Sequence, residues 1–320
     1  MTRWLVIGGA GYIGSHVVQA LLDSGRDVMI YDDMSSGLMR RVPDGVEVIE
    51  ADVHDASALA HTFRQNEIDG VIHLAAKKAA GESVDVPLHY YRENVDGLLT
   101  VLEAMEGTGV KRLVYSSSAA VYGTPQVNPV DESAPLLPES PYGETKVVGE
   151  WMARDCGVAW GLSWSALRYF NVAGAASDSL GDSSVNNLIP MVFRALESGK
   201  RPQIFGDDYP TPDGTCIRDY IHVADLAQAH VAAAERCESG VRSDVFNVGT
   251  GDGCSVRAVM DVISEVIGRD VDAEVVGRRA GDPPATWAST ELIEAELGWR
   301  ATRDLHEMVT SAWSAWQAGI

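Results

Sequence analysis

Apolar positions in the first half of the chain come in short unbroken blocks separated by polar or glycine-rich breaks. Trp4-Leu5-Val6-Ile7 is one such block and reads as a buried strand. Val17 to Leu22 reads as a helix, and 27–31 as a second strand ending at Asp32-Asp33. The rhythm continues with strands at 46–52, 70–76, 112–116 and 163–169, and helices at 56–65 and 87–105. Strands alternating with helices predict a parallel sheet covered on both faces. The fold class expected is therefore α/β, a Rossmann-type doubly wound parallel sheet. The rhythm changes after about residue 171. A Gly/Ser/Asp-rich loop at 174–187 precedes helices at 188–197, 223–236, 255–267 and 304–318, with short strands at 245–248 and 271–276. This predicts an NAD-binding domain over 1–171, to which about 218–250 may be added by a chain reversal, and a smaller α/β substrate-binding lobe over 172–320.

The breaks carry the chemistry. Gly8-Gly9-Ala10-Gly11-Tyr12-Ile13-Gly14 joins the first strand to the first helix. Gly8, Gly11 and Gly14 let backbone approach a pyrophosphate at a helix N-terminus, where free amides and the dipole favour an anion. Asp32, at the end of the second strand, can accept from an adenosine ribose and repel a 2′-phosphate, which favours NAD over NADP. Met34-Ser35-Ser36-Gly37 offers no arginine to a 2′-phosphate; Arg40 and Arg41 come later. Ser116-Ser117-Ser118 closes a strand, and Tyr142 and Lys146 follow four residues apart after Pro141. Pro141 suits a first helical turn, and i,i+4 spacing puts Tyr142 and Lys146 on one helix face. There a lysine ammonium is expected to lower the tyrosine pKa toward neutrality, making Tyr142 a general acid or base. Asp52, Ala75, Ser118 and Asn171 all fall at carboxyl ends of expected strands, where ligands of such sheets bind.

Charge and composition exclude several classes. The 320 residues carry a net charge of −21, against nucleic acid or an anionic membrane surface as partner. No apolar stretch approaches membrane-span length. The first strand begins at Trp4, leaving no room for a signal peptide. Cys156, Cys216, Cys237 and Cys254 are scattered and read as reduced thiols of a cytoplasmic protein, not as a disulfide frame or metal site. His73 and His222 read as packed residues, and Trp299, Trp313 and Trp316 as core.

Taken together, these segments resemble the extended short-chain dehydrogenases/reductases, and within them the UDP-glucose 4-epimerase family. The likeness runs over nearly the whole chain: Gly8 to His16, Gly81-Glu82-Ser83-Val84, Pro87 to Tyr91 with Asn94, Ser116 to Gly123, Ser140 to Gly143, Leu167 to Asn171, Asn186 to Leu188, Phe205 to Thr211, and Arg218 to Val223. The resemblance implies transient oxidation of a UDP-hexose at C4 with bound NAD. Tyr142 would move the proton of the sugar 4-hydroxyl, Lys146 would hold the nicotinamide ribose, and Ser118 would hydrogen-bond the reacting oxygen. It also implies NAD contacts at Tyr12, Ile13, Asp32, Asp33, Asp52, Val53, Lys78, Asn94 and Phe170. On the substrate side it implies contacts at Asn171, Asn187 and Leu188, uracil contacts at Ile204 and Phe205, a diphosphate clamp by Arg218 and Arg279, and a ribose contact at Asp282. Thr286 falls where the family sets the room beside the sugar 2-substituent, and a small residue there admits the N-acetylhexosamine pair. Ala280 stands where the family often has a carboxylate. A homodimer is implied, pairing helices 87–105 and 142–156. A nucleotide-sugar 4,6-dehydratase would need an acid pair where this chain has Ala119-Ala120. A non-catalytic NAD-binding regulator would need neither Tyr142 nor Lys146.

Overall fold

A computed structural model of the chain describes residues 2–240, 242–279 and 281–319. Its strands are β1 (Arg3–Ile7), β2 (Asp27–Asp32), β3 (Glu47–Glu50), β4 (Gly70–His73), β5 (Arg112–Ser116), β6 (Ser163–Tyr169), β7 (Asn171–Ala173), β8 (Gln203–Phe205), β9 (Ile217–His222), β10 (Ser243–Val248), β11 (Gly253–Ser255), β12 (Glu274–Val276) and β13 (Ala285–Thr286). Two compact units emerge. One comprises Met1–Val121, Pro138–Arg168 and Ala227–Phe246, the other Tyr122–Leu137, Tyr169–Leu226 and Asn247–Ile320. The chain returns to the first unit over Ala227–Phe246, within the expected return at about 218–250, and also visits the second unit over Tyr122–Leu137.

The first unit is built on a seven-stranded sheet of order β10-β6-β5-β4-β1-β2-β3. β1 pairs in parallel with both β2 and β4, with Val6 opposite Ile30 on one side and Ile72 on the other. Strands flanked on both sides and covered on both faces must be apolar throughout, which is why Trp4, Leu5, Val6, Val71 and Ile72 are all buried. Helices on one face meet Leu5, Met29, Leu98, Val101, Met105 and Leu113 in a continuous core. The strand order reverses between β1 and β4, so the crevice beyond their carboxyl ends is where a ligand of such a sheet binds.

The expected strand 70–76 ends at His73. The expected helix 87–105 is three pieces: Pro87–Tyr91, a π-helical turn Arg92–Asp96, and Gly97–Thr108. Such widened turns occur mostly at functional sites, and this one carries Asn94.

In the second unit β9 is central. It pairs with β11, β13 and β7, while β8 and β12 form a separate parallel pair. The expected strand 271–276 is only Glu274–Val276. Helices Leu188–Glu197, Val256–Ile267 and Leu305–Gln317 pack over the core of this unit, with Phe193 5.0 Å from Trp313 and 5.8 Å from Trp316 between ring centroids.

Candidate active site and nucleotide pocket

Tyr142 opens the helix Pro141–Trp160, and its position follows from how that N-terminus is satisfied. Pro141 has no amide hydrogen to orphan. The Tyr142 amide donates to Ser83 Oγ at 3.1 Å, and the Gly143 amide to the N-cap Ser140 Oγ at 3.2 Å. Gly143 is required by a close approach: a Cβ there would meet the Ala120 carbonyl oxygen at 2.6 Å. Gly149 likewise lets the helix lie against Tyr115, whose Oη would be 2.2 Å from an added Cβ.

Tyr142, Lys146 and Ser118 come together at the carboxyl end of β5, all buried. Lys146 Nζ donates to the Ser116 carbonyl at 2.8 Å and lies 5.3 Å from the Tyr115 ring centroid and 5.8 Å from that of Tyr142. Burial pushes the Tyr142 phenol up, and a hydrogen bond with Ser118 opposes it. The expected lowering of Tyr142 by Lys146 is therefore corrected: the ammonium is turned to a backbone carbonyl, and burial dominates. Lys146 is itself pulled down to about 7 by the same burial, with Glu150 acting against it. His73, stacked 6.2 Å from Tyr115, is held neutral by burial and by Lys146, down to about 3. His222 is pushed to about 4 by burial and takes the Ala224 amide at 3.0 Å, a structural role.

Several of the residues read as cofactor contacts belong to the first βα turn and to the end of β2 beside it. Gly8 has φ +86°, and a Cβ on it would meet Ala75 N at 2.8 Å; on Gly14 it would meet Gly8 O at 2.1 Å. At Gly11 a Cβ would approach only Gly8 O, at 3.3 Å, so it would fill the open cradle. Gly11 caps the helix Tyr12–Asp23 with no side-chain hydrogen bond, which leaves the first amides to an anion. Asp32 is buried, and its carboxylate accepts the amides of Ala10 and Met34 at 2.9 Å each. Burial raises its pKa most, against those two hydrogen bonds. Asp33 is exposed and caps Ser35; Arg41 is buried in the 3-10 turn Met39–Arg41 rather than facing outward. Asp52 accepts from the His54 amide and ring, Val53 packs within 2.9 Å of where a Gly97 Cβ would be, and Lys78 is exposed. These groups fit a bound dinucleotide: a Cβ-free cradle, a helix N-terminus and a carboxylate with acceptor capacity left.

Asn94 does something the sequence did not disclose. Its Oδ1 accepts the Lys77 amide at 2.8 Å, and its Nδ2 donates to the Lys77 carbonyl and to Thr145 Oγ1, each at 3.0 Å. The side chain thus ties the segment leaving β4 to the helix of Tyr142. Phe170 lies in the second unit, its amide on the Val248 carbonyl.

The second unit holds a cavity of about 470 Å³. Its wall includes eight of the nine expected substrate residues of this unit: Asn171, Asn187, Leu188, Ile204, Phe205, Arg218, Arg279 and Asp282. Arg218 donates to the Pro283 carbonyl at 2.7 Å and to Asp282 at 3.3 Å. The Arg279 guanidinium lies 4.2 Å over the Phe205 ring. Thr286, the ninth, is buried on β13 beside Arg218 on β9 and does not line this cavity; its Oγ1 has no hydrogen-bond partner among the described residues. Ala280 lies outside the described residues.

Sequence reasoning missed Asp219. It is wholly buried and accepts the amides of Thr250, Gly251 and Ala288. Gly249 is its signature, since a Cβ there would meet Asp219 Oδ2 at 2.4 Å. It fixes β9 to the loops that follow β10 and β13. Among the described residues no cluster of His, Cys, Asp and Glu could hold a metal ion, and no helix is long and apolar enough to cross a membrane.

A doubly wound sheet with this loop and this buried Ser-Tyr-Lys cluster defines a nicotinamide-dependent short-chain enzyme. Residues 4–249 match the model of the NAD dependent epimerase/dehydratase family, and the chain belongs to that family. It is 45% identical over 316 residues, 98% of this chain and 95% of the other, to the UDP-glucose 4-epimerase of Corynebacterium glutamicum. Its fold matches a UDP-glucose 4-epimerase from Stenotrophomonas maltophila, solved with bound NAD and formylated UDP-arabinopyranose, at TM-score 0.96 and 38% identity, covering 99% and 98% of the two chains. It also matches the UDP-Glc/GlcNAc 4-epimerase of Campylobacter jejuni at TM-score 0.88 and 36% identity, covering 99% and 100%.

Proposed function

We propose that this protein interconverts UDP-glucose and UDP-galactose, with Tyr142, Ser118 and Lys146 as the reacting cluster. NAD on the glycine cradle supplies reversible hydride acceptance. The chain's own residues do the rest. Ionised, Tyr142 takes a proton at the sugar 4-oxygen, and as the resulting phenol it gives the proton back. Ser118, beside the phenol, holds that oxygen in line. Lys146, its Nζ steered by the Ser116 carbonyl, would hold the nicotinamide ribose. Arg218 and Arg279 supply the fork-shaped donors that suit a diphosphate. The observation that carries this reading is the buried cluster at the carboxyl end of β5, with Tyr142 beside Ser118 and Lys146 one turn along, its Nζ on the Ser116 carbonyl. A 4,6-dehydratase is not supported, because the turn Ala119–Tyr122 offers no acid at its first two positions.

The finer assignments extend the same reading. The N-acetylhexosamine pair is a further substrate pair, supported by the likeness to a UDP-Glc/GlcNAc 4-epimerase; Thr286 is small and buried but off the cavity wall. A homodimer is supported by large apolar side chains left open on the two helices: Leu88 is 80% and Val158 87% exposed, with Leu99 and Trp151 about half exposed. The four cysteines are unpaired, as suits a reducing cytoplasm. The experiment is direct: purified protein is incubated with UDP-galactose and with its N-acetyl analogue, and the products are identified. Failure to form UDP-glucose from UDP-galactose sinks the proposal, and the elution mass of the same sample tests the dimer.

A further inference from the structure

We propose that Glu150 and Ser117 form a positioning pair that sets the register of the serine strand against the catalytic helix. The proposal rests on the reading of Tyr142, Ser118 and Lys146 given above and adds two residues to it. Tyr142, Lys146 and Glu150 follow at intervals of four along the Pro141–Trp160 helix and so share one face. Each meets a different member of the serine run. Tyr142 stands beside Ser118, Lys146 Nζ donates to the Ser116 carbonyl at 2.8 Å, and Ser117 Oγ donates to Glu150 Oε1 at 2.5 Å. Ser117 is wholly buried and takes no other part in the proposed chemistry. Glu150 is in turn fixed from β6 by a fork of hydrogen bonds, Arg168 Nε to Oε1 at 2.8 Å and Nη2 to Oε2 at 2.6 Å. A bidentate buried pair defines the position of a carboxylate far more narrowly than a single contact. The middle serine is therefore anchored at a fixed point, which leaves Ser118 on one side and the Ser116 carbonyl on the other facing their partners.

The carboxylate also contributes charge. Around Lys146 stand Tyr142 and Glu150 on its own helix, Tyr115 from β5, neutral His73 from β4, and Arg168 from β6 behind Glu150. Glu150 is the anion in this set. An anion disfavours loss of the Lys146 proton, so its removal lowers the pH at which Lys146 ionises.

Three holoenzyme variants separate the two effects, with UDP-galactose turnover, KM, retained NAD and the pH–rate profile measured for each. Ser117→Ala leaves the Glu150–Arg168 pair whole. It is expected to retain NAD and KM while kcat falls about tenfold to a hundredfold, the scale of a small misplacement of reacting groups. Glu150→Asp keeps the charge but shortens the reach, so kcat falls in the same way with the profile in place. Glu150→Gln shifts the limb of the profile that reports Lys146 to lower pH. Loss of kcat together with loss of NAD or of folding in Ser117→Ala would mark the pair as merely structural and overturn the proposal, as would parental kcat in that variant. An unshifted profile in folded Glu150→Gln overturns the charge component; should that variant not fold, Ser117→Ala and Glu150→Asp decide. Absence of turnover in the parent would instead bring down the proposed function, and this inference with it.

Discussion

The proposed catalytic cluster of the first unit and the candidate nucleotide pocket of the second solve opposite problems. Around Tyr142 nearly every polar group is buried and tied to backbone or to a neutral partner: Lys146 to Ser116, Thr145 to the Tyr142 carbonyl at 2.7 Å, Asn94 to Lys77. In the pocket, charge stays partly open to solvent and is held by partners that a ligand can replace. Arg218 rests on Asp282 at 3.3 Å, and Arg279 rests on the face of Phe205. Proton transfer needs groups that do not move, while binding needs donors that exchange one partner for another. The difference teaches that burial sets pKa in one region and that interchangeable contacts set affinity in the other.

The sharpest way to break this contrast is Tyr142→Phe. It is expected to cost about 10²–10⁴-fold in kcat while NAD, extracted and identified by chromatography, stays bound. Near-parental turnover would show that proton transfer runs elsewhere. Arg218→Met belongs to the other region. Loss of charge-assisted hydrogen bonds worth about 1.5–3 kcal/mol raises KM by about tenfold to a hundredfold. A fall in kcat at constant KM would place Arg218 with the chemistry instead.

Thr286→Tyr probes a buried position beside the second region. Overfilling costs about 1–3 kcal/mol, so the ratio of kcat/KM for the N-acetyl pair to that for the plain pair should drop by about tenfold to a hundredfold. An unchanged ratio shows that Thr286 is not the gate. The smallest effect concerns stability. Burial lowers Lys146 from 10.5 to about 7, so the unfolded chain binds more protons between those values. The destabilisation is then full below about pH 7 and fades as pH rises toward the unfolded value. Lys146→Met, inactive, should melt a few degrees above the parent at pH 6, with the gap shrinking by pH 9. A gap independent of pH would mean that Lys146 carries no buried charge.

The first unit was largely legible because its strands are continuous apolar runs. Trp4 to Ile7 can be little other than a buried strand, and a glycine every third residue after it has few uses. The second unit was harder. β7, β8, β11 and β13 are two or three residues long, too short for any periodicity to register. They are held by contacts remote in sequence, such as Asp219 with Thr250 and Ala288, 31 and 69 residues on. The site divides in the same way. Tyr142 and Lys146 announce themselves by spacing, whereas the Asn94 clamp exists only because a π-helical turn points one amide at two segments. The pKa of Tyr142 was misjudged for a related reason: spacing brought the ammonium near, but its direction toward Ser116 is a property of packing.

Asp32 bears on any attempt to redesign the nucleotide preference of this enzyme. Its carboxylate holds the Ala10 amide in the glycine loop and the Met34 amide in the following turn, where Met34 has φ +57°. The group proposed to discriminate against a 2′-phosphate is therefore also the staple between two loops. Exchanging it for a small neutral residue strands both amides, each at the expense of an unmade buried hydrogen bond. Gly37 compounds the constraint, since a Cβ there would lie 2.8 Å from Asp32 Oδ1. A change of cofactor in this scaffold has to be made as a loop replacement spanning residues 32–37, with new acceptors for both amides, and not as a point substitution.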